Sequence, residues 1–436
     1  MSERSRPRVG DPVEVTIEKG VYRGRGLGRV DGRVVLVSRA LPGERIRGRI
    51  AAAHAGYAEA DLLEVLSPSP ARRPAPCPHA EDCGGCAYQA LEPVAQLALK
   101  EAILRESLAR AGAPFDGPVE ATASPEAGWR VRATMHFAVD GSGLRLGFRK
   151  EGSRRVVPIA ECLQLSGRMN AAARATREAL AGRRAIHRAL RGLELFESPD
   201  GSALVATLDT GLPAADAASL EPVGRAVPGL TGFGVRSEDG RTRWLHGDPH
   251  VEATVLGQRI RAHASGFFQG NRFLLEPLAD AVLAFVPEDG APALDLYAGV
   301  GLFALPLAAR GAAGVVAVEG AAGAAEDARW NASRAGLTGC VRVVEDDVAR
   351  ALGAMPAREG EAVVLDPPRT GAGPAVVQAV AARRPSTVVY VSCDPPTLGR
   401  DLAQFAALGY RAEAVRLFDL FPDTFHMETL VRLRPL

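Results

Sequence analysis

Three short segments in the C-terminal part of this chain carry residue types that could do chemistry together. Cys393 stands in Val391-Ser392-Cys393-Asp394-Pro395-Pro396. Upstream lie a second diproline segment, Asp366-Pro367-Pro368-Arg369, and a glycine-rich turn, Asp295-Leu296-Tyr297-Ala298-Gly299-Val300-Gly301. A thiolate facing a methyl-donor pocket is the pairing needed to methylate a pyrimidine carbon. Carbon 5 of uracil is too weak a nucleophile to take a methyl group unaided. Thiolate addition at carbon 6 converts the ring to an enolate and makes carbon 5 nucleophilic. A base then removes the carbon 5 proton, and the thiolate leaves by elimination. Glu428, in Phe425-His426-Met427-Glu428-Thr429, is the first choice for that base, with His426 the alternative. Each segment is ambiguous alone; their order and spacing make the reading specific.

The elements that must position these groups are legible as a series of strand ends. Residues 293–297 read as a buried strand running into the glycine turn and then a helix from 302. Glycines let a ligand lie against the backbone at a strand's carboxyl end. Gly299-x-Gly301-x-x-Ala304 also fits a dinucleotide fingerprint, so NAD and S-adenosylmethionine both remain open on the glycines. A strand over 314–318 ends in Glu319, whose carboxylate can accept both ribose hydroxyl hydrogens of either cofactor. Asp346-Asp347 end a third strand, where an adenine edge could be read; Asp295 or Asp347 could equally be a helix cap. A fourth strand, 362–365, delivers Asp366, and the prolines after it fix a rigid extended loop. A fifth, 387–391, brings Ser392-Cys393 to the same rim. Alternating strand and helix over 265–436 predicts a parallel sheet.

Upstream the pattern changes. Residues 8–66 read as short strands punctuated by glycine turns, which predicts a small OB-like β-barrel of the kind that binds single-stranded nucleic acid. Residues 1–50 hold twelve Lys and Arg against six Asp and Glu, on a chain whose net charge is only +1. A basic module on a neutral protein points to an anionic partner, RNA or DNA. A proline-rich linker spans 67–76, an amphipathic helix is expected over 91–111 with Leu97, Ile103, Leu104 and Leu108 on its apolar face, and 125–260 reads as mixed α+β. The resulting division is a barrel at 1–66, a cysteine-bearing central α+β domain at 67–260 whose 91–111 helix could pack on the catalytic domain, and an α/β Rossmann-like domain at 261–436.

Cys77, Cys83 and Cys86 form a C-x5-C-x2-C pattern with Gly84-Gly85 inside the last turn. Clustering of this kind in an intracellular chain favours metal or cluster ligation over disulfides. Cys162 is the best fourth ligand. Four thiolates can hold zinc or an iron–sulfur cluster, and spacing does not choose between them. Cys340 reads as a core residue.

Taken together, the chain resembles the S-adenosylmethionine-dependent RNA 5-methyluridine methyltransferases over nearly its full length. The resemblance rests on the N-terminal Tyr22-Arg23-Gly24-Arg25-Gly26-Leu27-Gly28-Arg29 and Ala40-Leu41-Pro42-Gly43-Glu44, which resemble a TRAM domain. It rests equally on the four cysteines, Phe267-Phe268-Gln269-Gly270-Asn271, the glycine turn, both diproline loops, Thr397-Leu398-Gly399-Arg400-Asp401 and the His-Met-Glu-Thr end. It implies a class I methyltransferase fold and cofactor contacts from Gln269, Tyr297, Glu319, Asp347 and Asp366. It makes Cys393 the nucleophile and Glu428 the proton acceptor, and implies a [4Fe-4S] cluster on Cys77, Cys83, Cys86 and Cys162, expected to be structural. Barrel and cluster together favour large-subunit ribosomal RNA over tRNA as target. Asp394 departs from the asparagine expected after the nucleophile and would place a negative charge near the thiolate.

The remaining classes fit less well. No run approaches the ~20 consecutive apolar residues of a membrane span, and no apolar stretch follows the N-terminal arginines as in a secretory signal; a cytoplasmic monomer is expected. A methylthiolating enzyme would need a C-x3-C-x2-C radical motif, which is not evident. A non-catalytic RNA-binding or assembly factor would bind cofactor without turnover. An NAD oxidoreductase leaves the Asp-Pro-Pro and Ser-Cys pair unexplained.

Overall fold

A computed structural model describes residues 8–436. Pro12–Val21, Arg25–Val30, Arg33–Ser38, Tyr57–Ser67 and Arg45–Ala53 pair in that order and close into a five-stranded barrel. Alternate residues of these strands point inward: Val15, Ile17, Val35, Val37, Ile46, Ile50, Ala58 and Ala60 fill the interior. Glycine is required where strands cross closely. A Cβ on Gly28 would lie 2.3 Å from the Thr16 carbonyl oxygen. The OB-like barrel expected from the glycine-punctuated strands is present.

The C-terminal region is built on an eight-stranded sheet. Its order is Val341–Glu345, Val315–Glu319, Ala293–Leu296, Ala362–Leu365, Thr387–Ser392, Glu428–Pro435, Tyr410–Phe418 and Val119–Thr122. The first five are mutually parallel, and Glu428–Pro435 runs antiparallel to both its neighbours. Central strands buried on both faces must be apolar throughout, and Ala362–Leu365 and Thr387–Ser392 are buried at every position. Alternation sends their side chains to two cores. Val364, Val389 and Val391 pack with the Leu275–Phe285 helix on one face. Leu294, Val363, Val388 and Tyr390 pack on the other with Ile103, Leu104 and Leu108 of the Pro93–Arg110 helix.

Two elements cross the division drawn at residue 260. Val119–Thr122 pairs in parallel with Tyr410–Phe418 at the sheet edge. The Pro93–Arg110 helix lies against the Pro395–Ala407 helix at Gly399, where a Cβ would come within 2.8 Å of Ala111 Cβ. Residues 93–122 are therefore structurally part of the catalytic sheet and its covering helices. Between these pieces the chain makes a seven-stranded sheet, from Arg132–Asp140 to Thr242–Gly247, and a hairpin of His250–Val255 with Gln258–His263. Cys340 is exposed at the entry to the Val341–Glu345 strand and not in the core, because it lies in the turn before the pairing begins.

Candidate active site

The five parallel strands end along one rim, where the residues singled out by sequence for the cofactor and the chemistry lie, whereas the four cysteines lie elsewhere. After Leu296 the backbone turns through Tyr297 at φ 63°, Gly299 at 54° and Gly301 at 88°. A bulky residue pays strain in that region, so Tyr297 is held by its surroundings. At Gly301 the restriction is also steric, since a Cβ would meet Leu305 Cδ1 at 2.4 Å. Glu319, ending the second strand, accepts hydrogen bonds from Gly299 N at 2.8 Å and Ala321 N at 2.6 Å, tying the glycine turn to its own strand end. Asp347 caps the Val348–Ala354 helix by accepting from Arg350 N at 3.1 Å; the cap uses Oδ1 and leaves the residue exposed. Gln269 Nε2 donates to Asp366 Oδ2 at 3.3 Å, which joins the Phe267–Asn271 loop to the Asp-Pro-Pro loop. Asn271 locks that loop: its amide donates to Leu420 O at 2.9 Å and its Oδ1 accepts from Phe273 N and Leu274 N.

Strand register brings Cys393 and Glu428 together. Ser392 pairs with Thr429 in the antiparallel ladder, so one step further places Cys393 opposite Glu428. Cys393 is half-buried, and burial, reinforced by the Glu428 charge, pushes its thiol up to about 12. Glu428 is buried. Desolvation first, and then the Asp366 charge, raise it well above the usual carboxylate range. Burial likewise carries Asp366 up to about 7 against the lowering hydrogen bond from Gln269. The guanidinium of Arg369 opposes these shifts at both Cys393 and Glu428. Burial therefore disfavours the ionised form of both Cys393 and Glu428, and the Arg369 cation favours it at each. Cys393 immediately precedes Asp394, the N-cap of the Pro395–Ala407 helix.

The rival base fares differently. Burial lowers His426 to about 4. Its ring lies between Phe421 and Phe425, with centroids at 5.8 and 4.1 Å, and its Nε2 is 3.5 Å from Arg369 Nη2. A neutral imidazole wedged between aromatic rings suits a packing role near the site.

Several residues at the site went unassigned by sequence. Arg369 was visible as the end of a motif, and its charge next to a thiol was the available signal. Asp295 is fully buried, its Oδ2 accepts from Ala304 N at 2.8 Å, and burial raises it to about 8; its Oδ1 has no partner. Tyr22 of the barrel reaches Asp394 with its hydroxyl at 3.0 Å, a contact that no spacing along the chain announces.

The four clustered cysteines face one cavity together with His79, Gln89, Arg130, Phe148 and Glu161. None is in a disulfide. Gly84 is sterically required: a Cβ there would lie 2.7 Å from Glu151 N and 2.9 Å from Arg149 O. Gly85 N donates to Cys83 Sγ at 3.4 Å. Among the described residues no three Cys, His, Asp or Glu side chains are gathered as the ligands of a single metal ion. Four free thiols line one cavity, with the Gly85 backbone donor and the Arg130 cation beside them.

Strand order, glycine turn and rim carboxylates are those of a class I S-adenosylmethionine-dependent methyltransferase. The family profile described as tRNA (Uracil-5-)-methyltransferase matches residues 257–435, and the TRAM domain profile matches residues 6–63. Similar relatives include 23S rRNA (uracil(1939)-C(5))-methyltransferase RlmD of Pseudomonas fluorescens, 36% identical over 97% of this chain and 94% of that one. The RlmD of Halomonas elongata is 34% identical over 96% and 89%. The crystal structure of Pyrococcus abyssi tRNA (uracil-54, C5)-methyltransferase in complex with S-adenosyl-L-homocysteine has the same fold. Its TM-score is 0.77 at 24% identity, over 97% of this chain and 100% of that one. The chain belongs to the RNA uracil-C5 methyltransferase family, and it is an S-adenosylmethionine-dependent enzyme with a TRAM barrel at its amino end.

Proposed function

We propose that this enzyme methylates carbon 5 of a uridine in 23S ribosomal RNA through a covalent adduct of Cys393 at carbon 6, with Glu428 as proton acceptor. The observation that carries this reading is the ladder register that sets Cys393 opposite Glu428 at the rim where Tyr297, Glu319, Asp347, Asp366 and Gln269 also end. Bound S-adenosylmethionine supplies an electrophilic methyl group. Glu319 and Asp347 offer carboxylate oxygens to its ribose and adenine, Tyr297 and the glycine turn form the floor, and Gln269 with Asp366 closes the side. Arg369 favours the thiolate. Cys393 attacks carbon 6, the enolate so formed is methylated at carbon 5, Glu428 takes the carbon 5 proton, and the thiolate is expelled. A carboxyl raised by burial is a stronger base once ionised, which suits Glu428 to that step.

Phe267 is 69% exposed two residues from Gln269, an aromatic face that could stack on an unpaired base at the pocket's lip. The ribosomal target is favoured by the RlmD relatives, whose chains this one matches nearly end to end. The four cysteines would hold a [4Fe-4S] cluster that folds the central domain onto the catalytic loops. Among the described residues no helix is long and apolar enough to cross a membrane.

The experiment is incubation with S-adenosylmethionine and RNA carrying 5-fluorouridine, followed by denaturing electrophoresis. Fluorine at carbon 5 cannot leave as a proton, so a cofactor-dependent protein–RNA adduct should accumulate and vanish in Cys393→Ala. Absence of an adduct, with RNA and cofactor binding intact, refutes the mechanism. Comparing 23S rRNA fragments with tRNA in the same assay separates the two targets.

A further inference from the structure

The barrel touches the catalytic centre. The turn Tyr22-Arg23-Gly24 follows the Pro12–Val21 strand and is wedged against two other parts of the chain. A Cβ on Gly24 would come within 2.6 Å of Ala87 Cβ in the cysteine loop and 3.4 Å of Phe425. Leu41 of the barrel is buried with Tyr88 and Leu91. Lys19 is paired with Glu106 of the Pro93–Arg110 helix at 2.6 Å. From this docked turn the Tyr22 ring meets Phe425 edge-on at 5.8 Å, and its hydroxyl donates to Asp394 Oδ2 at 3.0 Å. The other oxygen, Asp394 Oδ1, accepts from Thr397 N at 3.0 Å and Thr397 Oγ1 at 3.1 Å.

Both oxygens of the carboxylate beside the nucleophile are thus occupied, one by its own helix and one by a different domain. We infer that Tyr22 is a positioning residue for methyl transfer: its hydroxyl fixes the Asp394 carboxylate and takes up part of its charge, so that Cys393 is ready to attack only while the barrel is docked. The inference rests on the reading of Cys393 as nucleophile. The physical argument is charge placement. A carboxylate one residue from a thiolate repels it, and each donor the carboxylate accepts weakens that repulsion. The groups facing the Cys393 thiol are Glu428 from its strand, Asp366 and Arg369 from the diproline loop, Asp394 from its own helix start and Tyr22 from the barrel; His426 faces Asp394. Only Arg369 among them is a cation at neutral pH, so loss of the phenol donor leaves the balance more negative. Burial, then the Asp394 charge, hold the Tyr22 hydroxyl above tyrosine's ordinary range, so it remains a donor throughout the pH range of an assay.

The test is the pH dependence of single-turnover methylation and the steady-state kcat and RNA KM for Tyr22→Phe, Asp394→Asn and the double variant. Tyr22→Phe should move the acid limb to higher pH and lower kcat at pH 7 about tenfold, the worth of a charge-assisted hydrogen bond, with RNA KM changed less than about twofold. Asp394→Asn should move the limb the other way, and in that background Tyr22→Phe should cost almost nothing. A fall of equal size in both backgrounds, a rise in RNA KM alone, or an unmoved limb overturns the inference. Fluorouridine trapping with Cys393→Ala separates this from failure of the underlying reading. A persistent adduct in that variant removes the nucleophile and the inference with it. A lost adduct alongside an unmoved Tyr22→Phe profile removes the inference alone.

Discussion

Three carboxyl groups and a thiol share the pocket with one arginine, and that imbalance governs how the site responds to pH. Burial raises both Cys393 and Glu428 above their ordinary values, so the ionised forms that the proposed chemistry uses become more populated as pH rises. Activity should therefore climb through neutrality into the alkaline range and fall away in acid. Arg369 is the group that lowers both. Arg369→Ala should shift the acid limb upward by about one pH unit, as the loss of a nearby counter-charge implies. A pH–rate profile that does not move would remove Arg369 from the electrostatics of the site. Glu428→Gln keeps the shape and loses the proposed proton acceptor. It should form the covalent RNA adduct with ordinary uridine and resolve it about 10²- to 10⁴-fold more slowly, read by adduct abundance on a denaturing gel. His426, already lowered to about 4, should leave no inflection of its own between pH 5 and 8. The positions of Glu319, Asp366 and Cys393 at the rim were readable in the sequence because each stands at or just past the end of an apolar run. Arg369 lay in plain view within its motif, but charge balance needs three dimensions.

At the level of elements, the catalytic strands were legible and the elements that brace them less so. Val119–Thr122 has too few residues, half of them exposed, to display a strand pattern. The helix at Pro93–Arg110 showed its apolar stripe, yet it also buries Gln96 and Lys100. Their partners lie at the far end of the chain. Lys100 Nζ donates to Asp419 Oδ1 at 2.6 Å and to Phe421 O at 3.1 Å. Gln89, Gln96 and Gln164 all donate to the Asp423 carboxylate at 2.8 to 2.9 Å, and its carbonyl accepts from Ala87 N and Tyr88 N. A buried polar group looks like a surface residue until its partner is known. The helix pair itself depends on Gly399, whose missing side chain admits Ala111, Ser107 and Leu108. Gly399→Val should force the helices apart and cost about 1–3 kcal/mol, seen as a lowered midpoint in urea. An unchanged midpoint would mean that the two helices are not in close contact in solution.

Over the whole molecule, the basic composition of the first 50 residues overstates the free charge of the barrel. Arg25 pairs with Glu59, Arg29 with Glu18, and Arg47 with Glu14 and Glu64. Among the described residues Arg23 and Arg49 have no ion-pair partner. Arg23 lies in the same turn as Tyr22, on the face of the barrel nearest the catalytic rim. Arg23→Ala should weaken RNA binding and reduce the slope of log affinity against log salt by about 0.7–0.9, one phosphate contact. An identical slope would place the RNA path elsewhere on the barrel.

The edge strand Val119–Thr122 gives the catalytic sheet a dependence that its later residues conceal. A fragment cut to begin at residue 257, where the family profile begins, contains the rim, Cys393 and Glu428, yet leaves Tyr410–Phe418 with one side unpaired and the core beneath the Pro93–Arg110 helix open. An unpaired strand flanked by bare apolar surface recruits other chains, so such a fragment would meet itself before it met RNA. The smallest autonomous catalytic unit is therefore discontinuous: the portion made early must wait, held by its helix, for the last strands to arrive.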